Sequence, residues 1–185
     1  MDERKAHNLF NIVYIGVIAI MSTYSWWLKL EGGDLTLLSL ITLLYYIMDI
    51  IFLVLRPDST NSPVTILMHH VLALLSCFVF YGFPDLRSLG VQYLLVDVNT
   101  WFLAVRQTLS KRYLIIEVAF YASWVVIRLI HYPLLMLKVW SRFQEGTTLK
   151  LLTAMTLFLN IMNFKWTVDI VKRIMHSKLD KDYDL

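Results

Sequence analysis

Six stretches of nearly unbroken apolar sequence, each roughly twenty residues long, dominate this chain. That is the length an α-helix needs to cross the ~30 Å hydrocarbon core of a bilayer. They fall at residues 9–28, 35–55, 63–81, 88–109, 113–137 and 149–175. In hydrocarbon every backbone N–H and C=O must be satisfied by the protein itself, which only helices and closed barrels achieve. A barrel would show short strands of alternating polarity, and these runs do not alternate. The composition agrees: 58% of the 185 residues are hydrophobic and 17% charged, more apolar surface than a soluble domain of this size can hide. The expected fold is all-α, a polytopic membrane protein of about six transmembrane helices.

Polar and turn-forming residues separate the runs. They are Glu31-Gly32-Gly33-Asp34, Arg56-Pro57-Asp58-Ser59, Gly82-Phe83-Pro84-Asp85, Ser110-Lys111-Arg112 and the segment 141–146. Pro63 suits the first turn of the third helix, and Pro133 is expected to bend the fifth near its end. The Ser110-Lys111-Arg112 link is so short that the fourth and fifth helices are expected to be antiparallel neighbours. The first run is longer than the apolar part of a signal peptide and lacks a small-residue cleavage site, so it reads as a helix. The expected organisation is a cytosolic N-terminus (1–8), a single transmembrane domain (9–177) and a charged cytosolic tail (178–185).

Six spans place both termini on one side. That side would hold Arg4, Lys5, Arg56, Arg106, Lys111, Arg112, Lys172, Arg173, Lys178 and Lys181, and the other Lys29, Arg87, Lys138, Arg142 and Lys150. Ten basic residues against five favour cytosolic termini. No dense basic patch is present, so no nucleic-acid partner is expected. A single cysteine, Cys77, excludes an internal disulfide and any Cys-based metal or redox motif.

Ionisable groups inside the spans are costly in hydrocarbon and mark functional positions. His69 and His70 lie adjacent, roughly 10 Å inside the cytosolic edge of the third helix by the helical rise. Asp49, on the second helix running the other way, comes to about the same depth. Asp97 and Thr100 sit near the middle of the fourth helix, and Asn160, Asn163 and Lys165 in the middle to cytosolic half of the sixth. Spacings of three and four put Tyr45 with Asp49, Tyr93 with Asp97 and Thr100, and Asn160 with Asn163 on common helix faces. Arg128 and His131 form a similar pair deeper in the fifth. Simpler roles exist for each: Asp49 as counter-charge to Arg56 or Lys165, Arg128 as counter-charge to Asp97 or Glu117 or as anchor for an anionic lipid group, Lys165 snorkelling to the cytosol. Adjacent His side chains diverge by about 100° around a helix, so no metal site is expected.

His69-His70 early in a helix, then Tyr93-Leu94-Leu95-Val96-Asp97-Val98-Asn99-Thr100-Trp101-Phe102 leading to Arg106, resembles the TLC-domain family. So do residues 120–133 around Arg128 and the stretch 159–166. The resemblance covers residues 35–177. It implies a helical barrel around a lipid-sized cavity, a place in the endoplasmic reticulum, and the lipid chemistry of ceramide synthases, which belong to sphingolipid metabolism. In those enzymes the fourth-helix motif carries two aspartates three apart. Here Asp97 matches the first and Thr100 stands at the second, so the motif resembles the non-synthase branch more closely.

The function expected is intramembrane handling of long-chain acyl lipids, by acyl transfer from acyl-CoA to a lipid or long-chain amine. An imidazole beside a carboxylate in a desolvated site supplies base or nucleophile and its orienter. His69 and His70 with Asp97 and Asp49 are the catalytic candidates. Tyr45, Tyr93, Thr100, Arg128, His131, Asn160 and Asn163 are the substrate-lining candidates. Arg56, Arg106, Lys111 and Arg112 at the cytosolic mouth are the candidates to hold the phosphates of acyl-CoA, a co-substrate and not a bound cofactor. A lipid-binding or lipid-regulating protein without turnover is the alternative, and an ion- or proton-coupled carrier a second. Membrane lipids are the expected partners. A homodimer is the assembly to test, since the sequence does not set the oligomeric state.

Overall fold

The computed structural model describes the backbone of residues 3–30, 33–60, 62–109 and 111–182, and the side chains over 6–30, 35–60, 62–109 and 111–175. Six helical rods account for nearly all of it. They are α1 (Glu3–Trp27), α2 (Gly33–Leu55), α3 (Pro63–Gly82), α4 in two segments (Arg87–Leu94 and Val96–Thr108), α5 from Leu114 to Trp140, and α6 (Thr147–Asp182). Five are long and apolar enough to cross a membrane. The sixth has the length, but Asn160, Asn163, Lys165 and Asp169 make it more polar. Residues 1–8 and 178–185, expected as polar ends, are helical from Glu3 and as far as Asp182.

Local chemistry explains where the rods stop. At the end of α1, Lys29 adopts a left-handed backbone (φ 51°). This lets the Leu30 N–H donate to Ser25 O at 3.0 Å and the Lys29 N–H to Trp26 O at 3.3 Å, a Schellman closure of the last carbonyls. Pro57, Pro63 and Pro84 each open a helical turn, where a missing N–H costs nothing. Between α5 and α6, Gly146 has φ 151°, which a residue with a Cβ adopts only under strain. In that loop Arg142 donates to Glu145 at 2.7 Å and holds its carboxyl below the usual carboxylate range. The pair is solvent-exposed, so it adds little stability.

The bend expected from Pro133 takes the form of a widened helix. Residues Leu114–Ser123 and Tyr132–Trp140 are α-helical, and Trp124–His131 between them is π-helical. Pro133 has no N–H to offer the carbonyl one turn earlier, and its ring crowds that carbonyl. Trp124, Arg128 and Tyr132 are four apart and all buried. That spacing overshoots an α-helical turn of about 3.6 residues, and the wider turn absorbs the excess, keeping the three on one inward line.

The rods close into a ring. α1 packs on α2 and α4, α2 on α3, α3 on α6, α6 on α5, and α5 on α4, giving the cyclic order 1-2-3-6-5-4. Two apolar clusters fill it. One draws Phe80, Tyr93, Tyr132 and Leu152 from α3 to α6; the other draws Ile15, Leu38, Tyr46 and Leu94 from α1 to α4. α3 and α4 serve both and touch across the middle. The lipid-sized cavity implied by the resemblance is therefore closed down in this structure. Among the described residues, a small space lined by Tyr46, His69, Ser76, Tyr93, Tyr132 and others has room for about one water, and a smaller one lies by Leu38, Cys77 and Gly90. Outward-facing residues such as Ile20, Trp27 and Leu114 are exposed and apolar, as a lipid-facing surface must be.

Close approach of α1 to α4 depends on Gly16. A Cβ there would lie 2.9 Å from Trp101 Nε1, and that indole is fixed because it donates to Ile12 O at 3.1 Å. Gly16→Val should lower the melting temperature in detergent, at an overpacking cost of about 1–3 kcal/mol. Gly82→Ala, with nothing within 4 Å of its new Cβ, should leave it unchanged or raise it slightly.

Candidate functional site

Two charged side chains, one carboxylate and one guanidinium, organise the polar groups inside the ring. Asp49 on α2 is 2% exposed. Its Oδ1 lies 2.6 Å from His7 Nε2 on α1, and its Oδ2 lies 2.8 Å from His70 Nδ1 on α3. The second contact has the distance of an ion pair but lies off the line of a well-directed hydrogen bond. Within two turns of one end of the bundle, three helices thus meet on one carboxylate. His7 stacks flat on Phe52, with ring centroids 3.7 Å apart and planes 7° apart. With Nδ1 of His70 facing the carboxylate, its Nε2 is the nitrogen left to act, since a neutral imidazole has one donor and one acceptor.

His69 points elsewhere. Its ring meets Trp166 and His70 edge-on at 5.3 and 5.5 Å, and it lines the small central cavity. Its Nδ1 is buried without a hydrogen-bond partner among the described residues, and so is Oδ2 of Asp97.

The guanidinium is that of Arg128, in the π-helical stretch. Its Nε donates to Asn99 Oδ1 at 2.8 Å, Nη1 to Asn163 Oδ1 at 2.7 Å, and Nη2 to Thr100 Oγ1 at 3.0 Å. Asn99 is fixed in turn by donating to Phe120 O and Ser123 Oγ, and Thr100 by donating to Val96 O. The indoles of Trp124 and Trp166 stand 4.8 and 5.6 Å from the cation, a favourable cation–π arrangement when desolvated. These hydrogen-bond acceptors are neutral oxygens. The alternative of Glu117 as its counter-charge is corrected, since Glu117 bonds Arg106 at 2.6 Å; Asp97 is buried near the cation but is not among its hydrogen-bond acceptors.

The remaining candidates fall into place around these two centres. Tyr93 hydrogen-bonds Thr156 through its hydroxyl, and its carbonyl accepts from Tyr132 at 2.9 Å. His131 Nε2 lies 3.0 Å from Gln92 O, Asn160 donates to Thr156 O of its own helix at 2.9 Å, and Tyr45 donates to Asn11 at 3.4 Å. The structure therefore brings together Asp49, His70 and His69 on one side, and Thr100, Asn163 and Arg128 on the other. His131 and Asn160 stand apart from both, bonded to backbone. At the mouth, Arg106 is already paired with Glu117 and packed over Phe120, while Arg56, Lys111 and Arg112 are exposed. Lys165, one expected counter-charge for Asp49, lies instead 3.8 Å from Asp169 at the surface.

A family model described as TLC domain matches residues 7–172. The chain belongs to the TLC-domain family. The match takes in every residue of both centres, beginning at His7 itself. No curated protein and no solved structure matches the chain. Sequence reading of this TLC domain missed His7, Asn99, Trp124 and Trp166. Asn99 stood inside the quoted fourth-helix motif, but one step off the row through Asp97 and Thr100. His7 fell in the segment read as a short cytosolic N-terminus, and its only signal was the i,i+4 spacing to Asn11.

Removing the cation should damage the fold. Arg128→Met leaves the side-chain carbonyls of Asn99 and Asn163 buried without a donor, at about 1–3 kcal/mol each. Arg128→Lys cannot reach three acceptors in one plane and should recover only part of the loss. Melting curves of the three proteins in one detergent measure both effects.

Proposed function

We propose that this TLC domain handles long-chain acyl lipids inside the membrane, moving an acyl group from acyl-CoA to a lipid or long-chain amine. A carboxylate-held imidazole within the bundle, His70 on Asp49, is the observation that carries the reading. In this chemistry His70 Nε2 takes the proton from the acceptor's amine or hydroxyl as that atom attacks the thioester carbonyl. The new C–N or C–O bond forms, the C–S bond breaks, and the proton passes to the departing thiolate. Asp49 stabilises the imidazolium that exists between these transfers. His69, next in the chain and facing the central cavity, is the second candidate for the same role. Arg56, Lys111 and Arg112, exposed where the chain turns, would meet the phosphates of acyl-CoA as point charges and forks.

Entry of an acyl chain requires the helices to part, because the interior is closed. That closure, with Thr100 committed to Arg128, favours a second reading in which the protein binds or regulates lipid without turnover. In both readings the partners are membrane lipids, the termini face the cytosol, and the membrane is that of the endoplasmic reticulum. The charge distribution across the spans supports the orientation.

Purified protein, offered acyl-CoA and a panel of long-chain amine and lysolipid acceptors, should transfer the acyl group. His70→Ala and Asp49→Asn should each slow transfer by at least about a hundredfold, the lower end of what a positioned acid–base group contributes. Melting curves should show them still folded. Wild-type protein that retains copurified lipid yet transfers nothing across the panel would establish the binder instead.

Tags at either end provide the test of orientation. Both should be digested by protease added to sealed microsomes; a protected C-terminal tag beside a digested N-terminal one would mean an odd number of spans, and two protected tags a reversed orientation.

A further inference from the structure

A carboxylate has two oxygens, and Asp49 uses both. His70 takes Oδ2 and His7 takes Oδ1. Only the first of these contacts is part of the chemistry proposed above. The second comes from α1, a helix that contributes nothing else to that chemistry. Its geometry is nonetheless the tighter of the two, 2.6 against 2.8 Å, and it is a hydrogen bond by direction as well as by distance.

His7 is held on three sides. Phe52, three residues beyond Asp49 on α2, stacks against its face. Asn11 packs beside the ring with its carbonyl oxygen accepting from Tyr45; its amide nitrogen, 3.5 Å from Nε2, does not bond a nitrogen that already donates to Asp49. Phe10 lies beyond the ring at 6.4 Å, nearly parallel. A ring packed in this way has little freedom, so the carboxylate it binds has little freedom either. Asp49 is 2% exposed, so water is not at hand to replace His7. Without it, Oδ1 becomes a buried acceptor with no donor, and the carboxylate is driven to rotate until it finds one. Any such rotation moves Oδ2 away from His70 Nδ1.

We infer that His7 is a positioning residue: by fixing Oδ1 of Asp49, it holds Oδ2 against His70 Nδ1 and so presents Nε2 of His70 as the basic nitrogen. This rests on the acyl-transfer reading for its functional meaning, though not for its geometry. It makes the first turns of α1 part of the site. His7 does not touch substrate in this scheme, and acts through Asp49 alone.

The experiment uses the full chain with ¹⁵N-labelled histidine, reconstituted in lipid nanodiscs, as wild type, His7→Phe and His7→Gln. Phenylalanine keeps the stack on Phe52 and removes the donor; glutamine keeps an N–H near the position of Nε2. In the wild type, the ¹⁵N shifts of His70, assigned by its loss in His70→Ala, should report hydrogen on Nδ1 and a free Nε2. A wild-type His70 carrying its hydrogen on Nε2 overturns the inference without need of any variant. In His7→Phe that signature should give way to a mixture of tautomers, and in His7→Gln it should return. Transfer should follow: kcat down about ten- to a hundredfold in His7→Phe, the scale seen when an outer-shell partner is removed, with KM changed by less than about twofold, and recovery in His7→Gln. A His70 signature unchanged in His7→Phe, or a glutamine variant no better than phenylalanine, overturns the inference. If the wild type transfers nothing, the acyl-transfer reading fails, while the ¹⁵N comparison still decides whether His7 governs Asp49 and His70.

Discussion

A charge inside hydrocarbon must be met by protein, because no water is there to meet it. Two such charges in this chain each tie three helices together. Asp49 joins α1, α2 and α3 through His7 and His70. Arg128 joins α4, α5 and α6 through Asn99, Thr100 and Asn163. Between them they touch every helix of the ring. Apolar packing alone would not specify that ring, since lipid tails are as apolar as leucine and small-residue or polar contacts must choose the neighbours.

The two centres are built on different principles. Asp49 has titratable partners, so its contacts depend on where protons sit, and that is the condition for acid–base work. Arg128 has only neutral oxygens as hydrogen-bond acceptors, two of them amide carbonyls with fixed orientation, and two indoles beside its plane. Nothing in that set responds to protons, which suits a strut. The π-helical stretch belongs to the strut: it puts Trp124, Arg128 and Tyr132 on one line. Such widenings of a helix are frequent near functional sites.

Nδ1 of His69 and Oδ2 of Asp97 are buried without a hydrogen-bond partner among the described residues. They flank a core that is otherwise filled by Tyr46, Tyr93 and Tyr132.

Much of this was legible in the sequence, for reasons that are local. Apolar runs of membrane-spanning length are read residue by residue, and Pro63, Pro133 and the loop 141–146 act on their immediate neighbours. The shared depth of Asp49 and His70 follows from helical rise alone, and they do meet. The His69-His70 pair and the Asp97–Thr100 motif carried the family resemblance by their order. The tertiary structure decided which group faces which. Rotation of a helix about its axis is set by its neighbours and not by its own sequence, so Arg128 went to Asn99 and Asn163 while Glu117 went to Arg106. Likewise, His7 gains its place only in the assembled bundle, where α2 offers both a carboxylate and, in Phe52, a ring to stack on. Whether the ring encloses an open cavity also depended on packing across its middle, where α3 and α4 meet and leave room for about one water.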